Sequence, residues 1–320
     1  MSSVPIAVIP ELPADVSLEQ LLAVLRPLAW GAADILRAYA RGLPPPFGFD
    51  QALQVEEGGD GPVSAADLAV NRWLLEGLSR AFPQTPWDLI SEESAKADIP
   101  ASTPASVLSA SSEGWLWILD PLDGTRDFPQ GTGEYAVHLA LVRRQRPVLG
   151  AVLLPEAEEL WLGVLDRSGG GGEAWCEGRS GERRPVRFSA RASARELVLV
   201  ASRNHRDQRL EQLLAALPLA ERRSMGSVGG KIATILRGES DLYISLSGRS
   251  APKDWDMAAP EVVLRAAGGQ FSHADGRPLL YNTGDPRQPG CLIASHGPAH
   301  AEICIAAVTA LASIDPGFAV

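Results

Sequence analysis

The chain has 320 residues, 45% hydrophobic and 21% charged, enough to bury a core without disulfides or structural metal and too apolar for wholesale disorder. Lys and Arg number 29 against 39 Asp and Glu, and the net charge of −10 excludes a general binder of nucleic acid. Cys176, Cys291 and Cys304 are odd in number, far apart and without a CxxC pair, which speaks against a zinc finger or a disulfide framework.

Residues 1–10 carry no Lys or Arg before their apolar positions, so no secretory signal is indicated and the cytoplasm is the default compartment. Residues 17–41 read as an amphipathic helix with Leu21, Leu22, Leu25, Leu28, Ala32, Ile35 and Leu36 on one face. Ser17 and Gln20 stand at capping-box spacing, and the three prolines within residues 42–48 end the helix. A second helix is expected over residues 64–82, packing Leu68, Leu74, Leu75 and Leu78. Residues 100–113, rich in Ser, Ala and Pro, read as a surface loop.

Strand-like runs follow at 115–119, 136–143 and 148–154, with hairpin turns at 169–172 and 177–184. Past about residue 190 the pattern changes to an alternation of strand 197–201, helix 208–217, helix 231–237, strand 242–245 and helix 257–267. Residues 303–314 read as a buried helix, too short to span a bilayer. We therefore expect an α+β half over residues 1–190 followed by an α/β half over 191–320, packed as one unit.

The densest chemical signal is Asp120-Pro121-Leu122-Asp123-Gly124-Thr125, just after the apolar run 115–119. Two carboxylates leaving a strand end across a proline turn can aim at one point, with the Leu122 carbonyl beside them. Such an all-oxygen set suits the hard cation Mg²⁺, and Gly124 and Thr125 offer backbone N–H groups to an anion. Three further acidic sites are Asp67, the pair Glu92–Glu93, and Asp256. Each alone has a structural reading. Asp-Pro and Asp-Gly are turn signals, Glu92 and Glu93 suit a solvated loop, and Asp67 and Asp256 suit the first turns of helices.

Taken together, in this order and each at the end of an element, they resemble the inositol monophosphatase superfamily of magnesium-dependent, lithium-sensitive phosphatases. The resemblance covers about residues 17–292 and implies a layered αβαβα fold. Arg126-Asp127-Phe128, Gly133-Glu134-Tyr135, Ser202-Arg203-Asn204-His205 and Gly226-Ser227-Val228-Gly229-Gly230-Lys231 are most similar to its 3′(2′),5′-bisphosphate nucleotidase branch. Ser227 stands where those enzymes commonly have Gly, and Ser64 where the family more often has Thr.

The resemblance implies a site of two or three Mg²⁺ ions. Glu92, Asp120 and the Leu122 carbonyl would hold one, and Asp120, Asp123 and Asp256 another. Asp67 and Thr125 would take a proton from the attacking water. Gly124, Thr125, Ser202, His205, Ser227 and Lys231 would contact the substrate, a small phosphorylated molecule rather than a nucleic-acid polymer or a membrane. Two alternatives stay open: an inositol or sugar monophosphatase with the same metal chemistry, and a silent nucleotide sensor. The sensor would be favoured by loss of Glu92, Asp120, Asp123, Thr125 or Asp256, and all five are present. Oligomeric state is not legible in these residues.

Overall fold

A computed structural model of the chain describes residues 12, 16–50, 52, 55–58, 61–98, 114–166, 169–204, 207–247 and 251–318. The loop expected at 100–113 and His205 therefore lie outside the described residues. Helices α1 (Leu18–Ala40) and α2 (Ala65–Ala81) start at capping boxes, Ser17 with Gln20 and Ser64 with Asp67. A hairpin of β1 (Val55–Gly58) and β2 (Gly61–Ser64) leads into α2.

Seven strands form the larger sheet in sequential order: β3 (Asp88–Ser91), β4 (Trp115–Asp123), β5 (Ala136–Arg143), β6 (Arg146–Leu154), β7 (Glu159–Leu165), β8 (Gly172–Glu177) and β9 (Arg183–Pro185). Among the described residues only β3–β4 of this sheet is a parallel pair; the remaining neighbours are antiparallel. The short helix α3 (Glu92–Asp98) follows β3. The second sheet has the order β11-β10-β12-β14-β13, from β10 (Val198–Ser202), β11 (Glu221–Met225), β12 (Leu242–Leu246), β13 (Gln270–His273) and β14 (Cys291–Ser295). Its pairs with β10 are parallel, and those with β14 antiparallel. Its helices are α4 (Gln208–Ala216), α5 (Val228–Leu236), α6 (Asp254–Ala266) and α7 (His300–Ile314).

Strand alternation sorts the core into layers. Trp115, Trp117 and Leu119 of β4 join the leucines of α1 and α2 on one face of the larger sheet. Leu116 and Ile118 join α5, α6 and the inner face of the smaller sheet on the other. Leu199, Ile244 and Ile293 point outward from the smaller sheet to α4 and α7. The order is α1α2, seven strands, α5α6, five strands, α4α7: the expected αβαβα fold. Glycines on three adjacent strands bring α6 close. A Cβ at Gly150 or Gly163 would stand 2.8 Å from Ala259 O or 2.7 Å from Val263 Cα, and one at Gly172 would stand 3.0 Å from Ala266 Cα.

Four local expectations need correction. Leu68 is 54% exposed, because α2 turns Ala66, Ala69, Val70, Leu74 and Leu78 inward instead. Helix α5 starts at Val228, three residues before the expected start, with Ser227 as its cap and both glycines packed in its first turn. Helix α6 starts at Asp254, which places Pro260 inside it, past the first turn. Helix α7 is amphipathic rather than buried throughout: Ile303, Cys304, Ala307 and Leu311 are covered, while Ile305 is 69% exposed. Among the described residues no helix is long and apolar enough to cross a membrane.

Candidate active site

Strand β4 runs past the expected apolar run to Asp123, and all nine of its residues are buried. Its pairing with β5 is regular to Asp120 opposite His138, then slips before Asp123 meets Ala136. That irregularity, at a proline without an N–H, turns Asp120 and Asp123 toward the same point. Gly124 then takes φ +98°, and a Cβ there would meet Glu134 O at 2.8 Å. Only glycine fits without strain.

Asp256 arrives from the first turn of α6, where its Oδ2 accepts the Lys253 N–H at 2.6 Å. One carboxylate oxygen from each of Asp120, Asp123 and Asp256 lies within 4.8 Å of the others, a group that could hold a metal ion. The electrostatics fit a cation. Asp120 Oδ1 accepts the Leu122 N–H at 3.0 Å, but buried Oδ2 has no hydrogen-bond partner. Burial, with Glu92, Asp123 and Asp256 nearby, raises the Asp120 pKa well above the carboxylate range. Burial, with Glu92 and Asp123 nearby, pushes Asp256 up to about 7. Two buried acids and a half-buried one facing one point, with an orphaned oxygen among them, are what a hard cation would satisfy.

Asp123 behaves differently. Burial would raise its pKa, but His138, Lys231 and Ser227 outweigh burial and hold it below the ordinary value. Ser227 Oγ donates to Asp123 Oδ2 at 2.5 Å and the Gly229 N–H at 2.9 Å, both from the N-terminus of α5. His138, fully buried in β5, places Nε2 at 3.3 Å from the same oxygen and Nδ1 at 3.2 Å from Trp255 O. Sequence reasoning missed His138; the available signal was one ionisable side chain in the apolar run 136–142.

Asp67 and Thr125 come together as expected. Thr125 Oγ1 lies 3.3 Å from Asp67 Oδ1 and 2.9 Å from the Leu122 carbonyl. Asp67 Oδ2 accepts Ser64 N–H at 2.9 Å and Ser64 Oγ–H at 2.5 Å. Burial pushes the Asp67 carboxyl up to about 7. Glu92 stands in the first turn of α3, close enough to influence Asp67, Asp120 and Asp256, while its Oε1 pairs with Lys96 at 2.9 Å. Lys96 spans to Glu93 at the same distance, a partner the sequence reading did not weigh.

The expected substrate contacts divide. Ser202 closes β10, half-buried. Ser227 is buried and committed to Asp123. Lys231 is neither solvated nor open: it is 1% exposed, and Nζ donates to the Gly226 carbonyl at 2.7 Å. Burial lowers its pKa to about 8, opposed by Asp123, Asp127, Asp256 and Glu134.

The chain is similar to known proteins along most of its length. The inositol monophosphatase family model matches residues 17–312. The 3′(2′),5′-bisphosphate nucleotidase CysQ of Salmonella typhimurium is 33% identical over 69% of this chain and 80% of that protein. The 3′-phosphoadenosine 5′-phosphate phosphatase of Mycobacterium bovis is 32% identical over 77% of this chain and 80% of that protein. Among solved structures, the Thermotoga maritima IMPase superposes with a TM-score of 0.67 at 22% identity, covering 92% of this chain and 99% of that one. CysQ of Bacteroides thetaiotaomicron gives 0.63 at 25% identity, covering 87% and 97%.

Proposed function

This chain belongs to the inositol monophosphatase family and is a phosphatase, and from that premise we propose that it removes the 3′-phosphate of adenosine 3′,5′-bisphosphate, or of its sulfated form, with Mg²⁺. The observation that carries the metal part is the meeting of Asp120, Asp123 and Asp256 around an unpartnered buried oxygen. An oxygen-only donor set favours Mg²⁺ over softer ions. Asp120, Asp123 and Asp256, with Glu92 and the Leu122 carbonyl at the edge, would hold it. When bound, Mg²⁺ supplies Lewis-acid activation of water and charge compensation for the phosphoryl group.

The chain's own residues would do the rest. Thr125 Oγ1 would accept a proton from the attacking water as it passes its own proton to Asp67 Oδ1, so Asp67, whose raised pKa suits a base working near neutrality, ends protonated and Thr125 keeps its hydroxyl. The Gly124 and Thr125 N–H groups would receive the phosphate oxygens. His138, Ser227 and the N-terminus of α5 keep Asp123 ionised and aimed. Because Lys231 and Ser227 turn inward, they would act on Gly226 and Asp123 from behind, which leaves Ser202 at the end of β10 as the expected nucleoside contact among the described residues. A boundary near residue 190 would put Asp67 through Asp123 in one half and Asp256 in the other, so the site closes only when the halves pack. The free cysteines suit a reducing compartment and hence a cytoplasmic enzyme.

The test is a substrate panel at fixed Mg²⁺, with an EDTA control. We expect kcat/KM for adenosine 3′,5′-bisphosphate to exceed that for inositol 1-phosphate by about tenfold or more, since a fitted nucleotide adds at least one hydrogen bond to a charged group. EDTA should abolish both. A preference for the inositol ester would replace the nucleotidase reading with a sugar phosphatase.

A further inference from the structure

Arg203 follows β10 directly and forks across two acids from the segment after the Asp-Gly-Thr turn. Nη1 lies 2.7 Å from Asp127 Oδ1, and Nη2 lies 2.7 Å from Glu134 Oε2. Asn204 Nδ2 donates to the other Asp127 oxygen at 2.7 Å, and the Arg203 N–H to Met225 O at 3.1 Å. Glu134 Oε2 also accepts the Gly226 N–H at 3.0 Å. Gly226 in turn approaches Asp127 so closely that a Cβ would stand 2.2 Å from Oδ2. One guanidinium thus joins three segments: the end of β10, the turn before α5, and residues 127–134.

This is not an ordinary surface pair. The Asp127 side chain is 2% exposed, and its N–H donates to Gly124 O at 2.8 Å, so it is continuous with the proposed phosphate-binding turn. Without Arg203, Asp127 and Glu134 would lose the guanidinium that pairs with both of them beside a site for an anion. Lysine could neutralise one acid but could not hold both in a planar fork.

We propose that Arg203 is a positioning residue for substrate recognition: it holds Ser202–Asn204 and Gly226 against the 127–134 segment, shaping the side of the site that receives the non-reacting part of the substrate. This rests on the nucleotidase reading. The experiment is steady-state kinetics of wild type, Arg203→Ala and Arg203→Lys on adenosine 3′,5′-bisphosphate and inositol 1-phosphate, with amide hydrogen exchange on the same proteins. In Arg203→Ala the ratio of kcat/KM, bisphosphate over inositol ester, should fall by about tenfold, carried by KM, as expected for loss of a charge-assisted contact. Arg203→Lys should recover part of it. Amides of Ser202–Asn204 and Gly226–Ser227 should exchange faster in Arg203→Ala, while those of α1 and α2 should not change. If wild type cleaves the bisphosphate and the ratio stays flat in Arg203→Ala, or both substrates lose equally, the inference fails and the nucleotidase reading stands. If wild type does not cleave the bisphosphate, both fail.

Discussion

Asp120→Asn should lower kcat/KM by at least about a thousandfold, the loss expected when several kcal/mol of metal-supplied stabilisation is removed. The same variant should make the metal-free protein more stable. Asp120 is buried, one of its oxygens has no partner, and its neighbours Glu92, Asp123 and Asp256 are all acids. Replacing it with a neutral isostere relieves repulsion worth about 1–3 kcal/mol. The pH dependence has a definite sign. Asp67 and Asp256 titrate near 7 in the folded chain, and Asp120 also lies above the usual range. Raised carboxyl pKa values mean that the folded state holds extra protons. The stability they bring is complete below the ordinary carboxyl range and is lost as pH rises through about 7. In EDTA, wild type should therefore lose melting temperature between pH 5 and 8 more steeply than Asp120→Asn, and Mg²⁺ should flatten the wild-type slope. Near-normal turnover in Asp120→Asn, or a metal-free melting temperature below wild type at pH 8, would contradict the metal-site assignment.

Asp67→Asn should lower kcat by about 10²–10⁴-fold, the usual worth of a positioned general base. The fold should survive. Both Ser64 hydrogen bonds end on Oδ2, so the single Asn oxygen can replace it, and the cost at the start of α2 is at most about 1 kcal/mol. Thr125→Ala should give a loss of similar size and Thr125→Ser should recover much of it, because the hydroxyl rather than the methyl group faces Asp67. The double variant Asp67→Asn with Thr125→Ala should be little worse than either alone, as for residues acting as one unit. Calorimetric Mg²⁺ affinity should move far less than kcat. A kcat within threefold of wild type in Asp67→Asn would remove the dyad from the mechanism.

Much of this site was legible because its chemistry is local. The Ser64–Asp67 cap and the Asp120–Thr125 turn are spacings of three to five residues, and short spacings dictate short-range geometry. The Glu92–Glu93 and Asp120–Asp123 boxes lie at the ends of β3 and β4, a parallel pair in the larger sheet, and a parallel pair delivers its strand ends to one side. What stayed hidden depended on packing. Gly229 and Gly230 fall before the helix expected over 231–237, yet they lie in the first turn of α5, where a Cβ at 229 would stand 2.4 Å from His138 Nε2. Lys231, expected to contact the substrate, is buried once α5 is docked between the sheets. His138 and Arg203 act through partners 15 and 76 residues away, Asp123 and Asp127, and no local pattern encodes that separation. Leu68 marks the opposite error, a leucine assigned to the core by type where the helix turns small residues inward.

The central claim is that the carboxylate cluster and the Thr125–Asp67 pair act on the 3′-phosphate of a bisphosphorylated nucleoside. The most direct measurement is identification, by phosphorus NMR, of the nucleotide left after one turnover of adenosine 3′,5′-bisphosphate with Mg²⁺. Wild type should leave adenosine 5′-monophosphate and one equivalent of inorganic phosphate, and the substrate should stay unchanged both in EDTA and in Asp120→Asn. Adenosine 3′-monophosphate as the product, or cleavage that persists in EDTA, would contradict it.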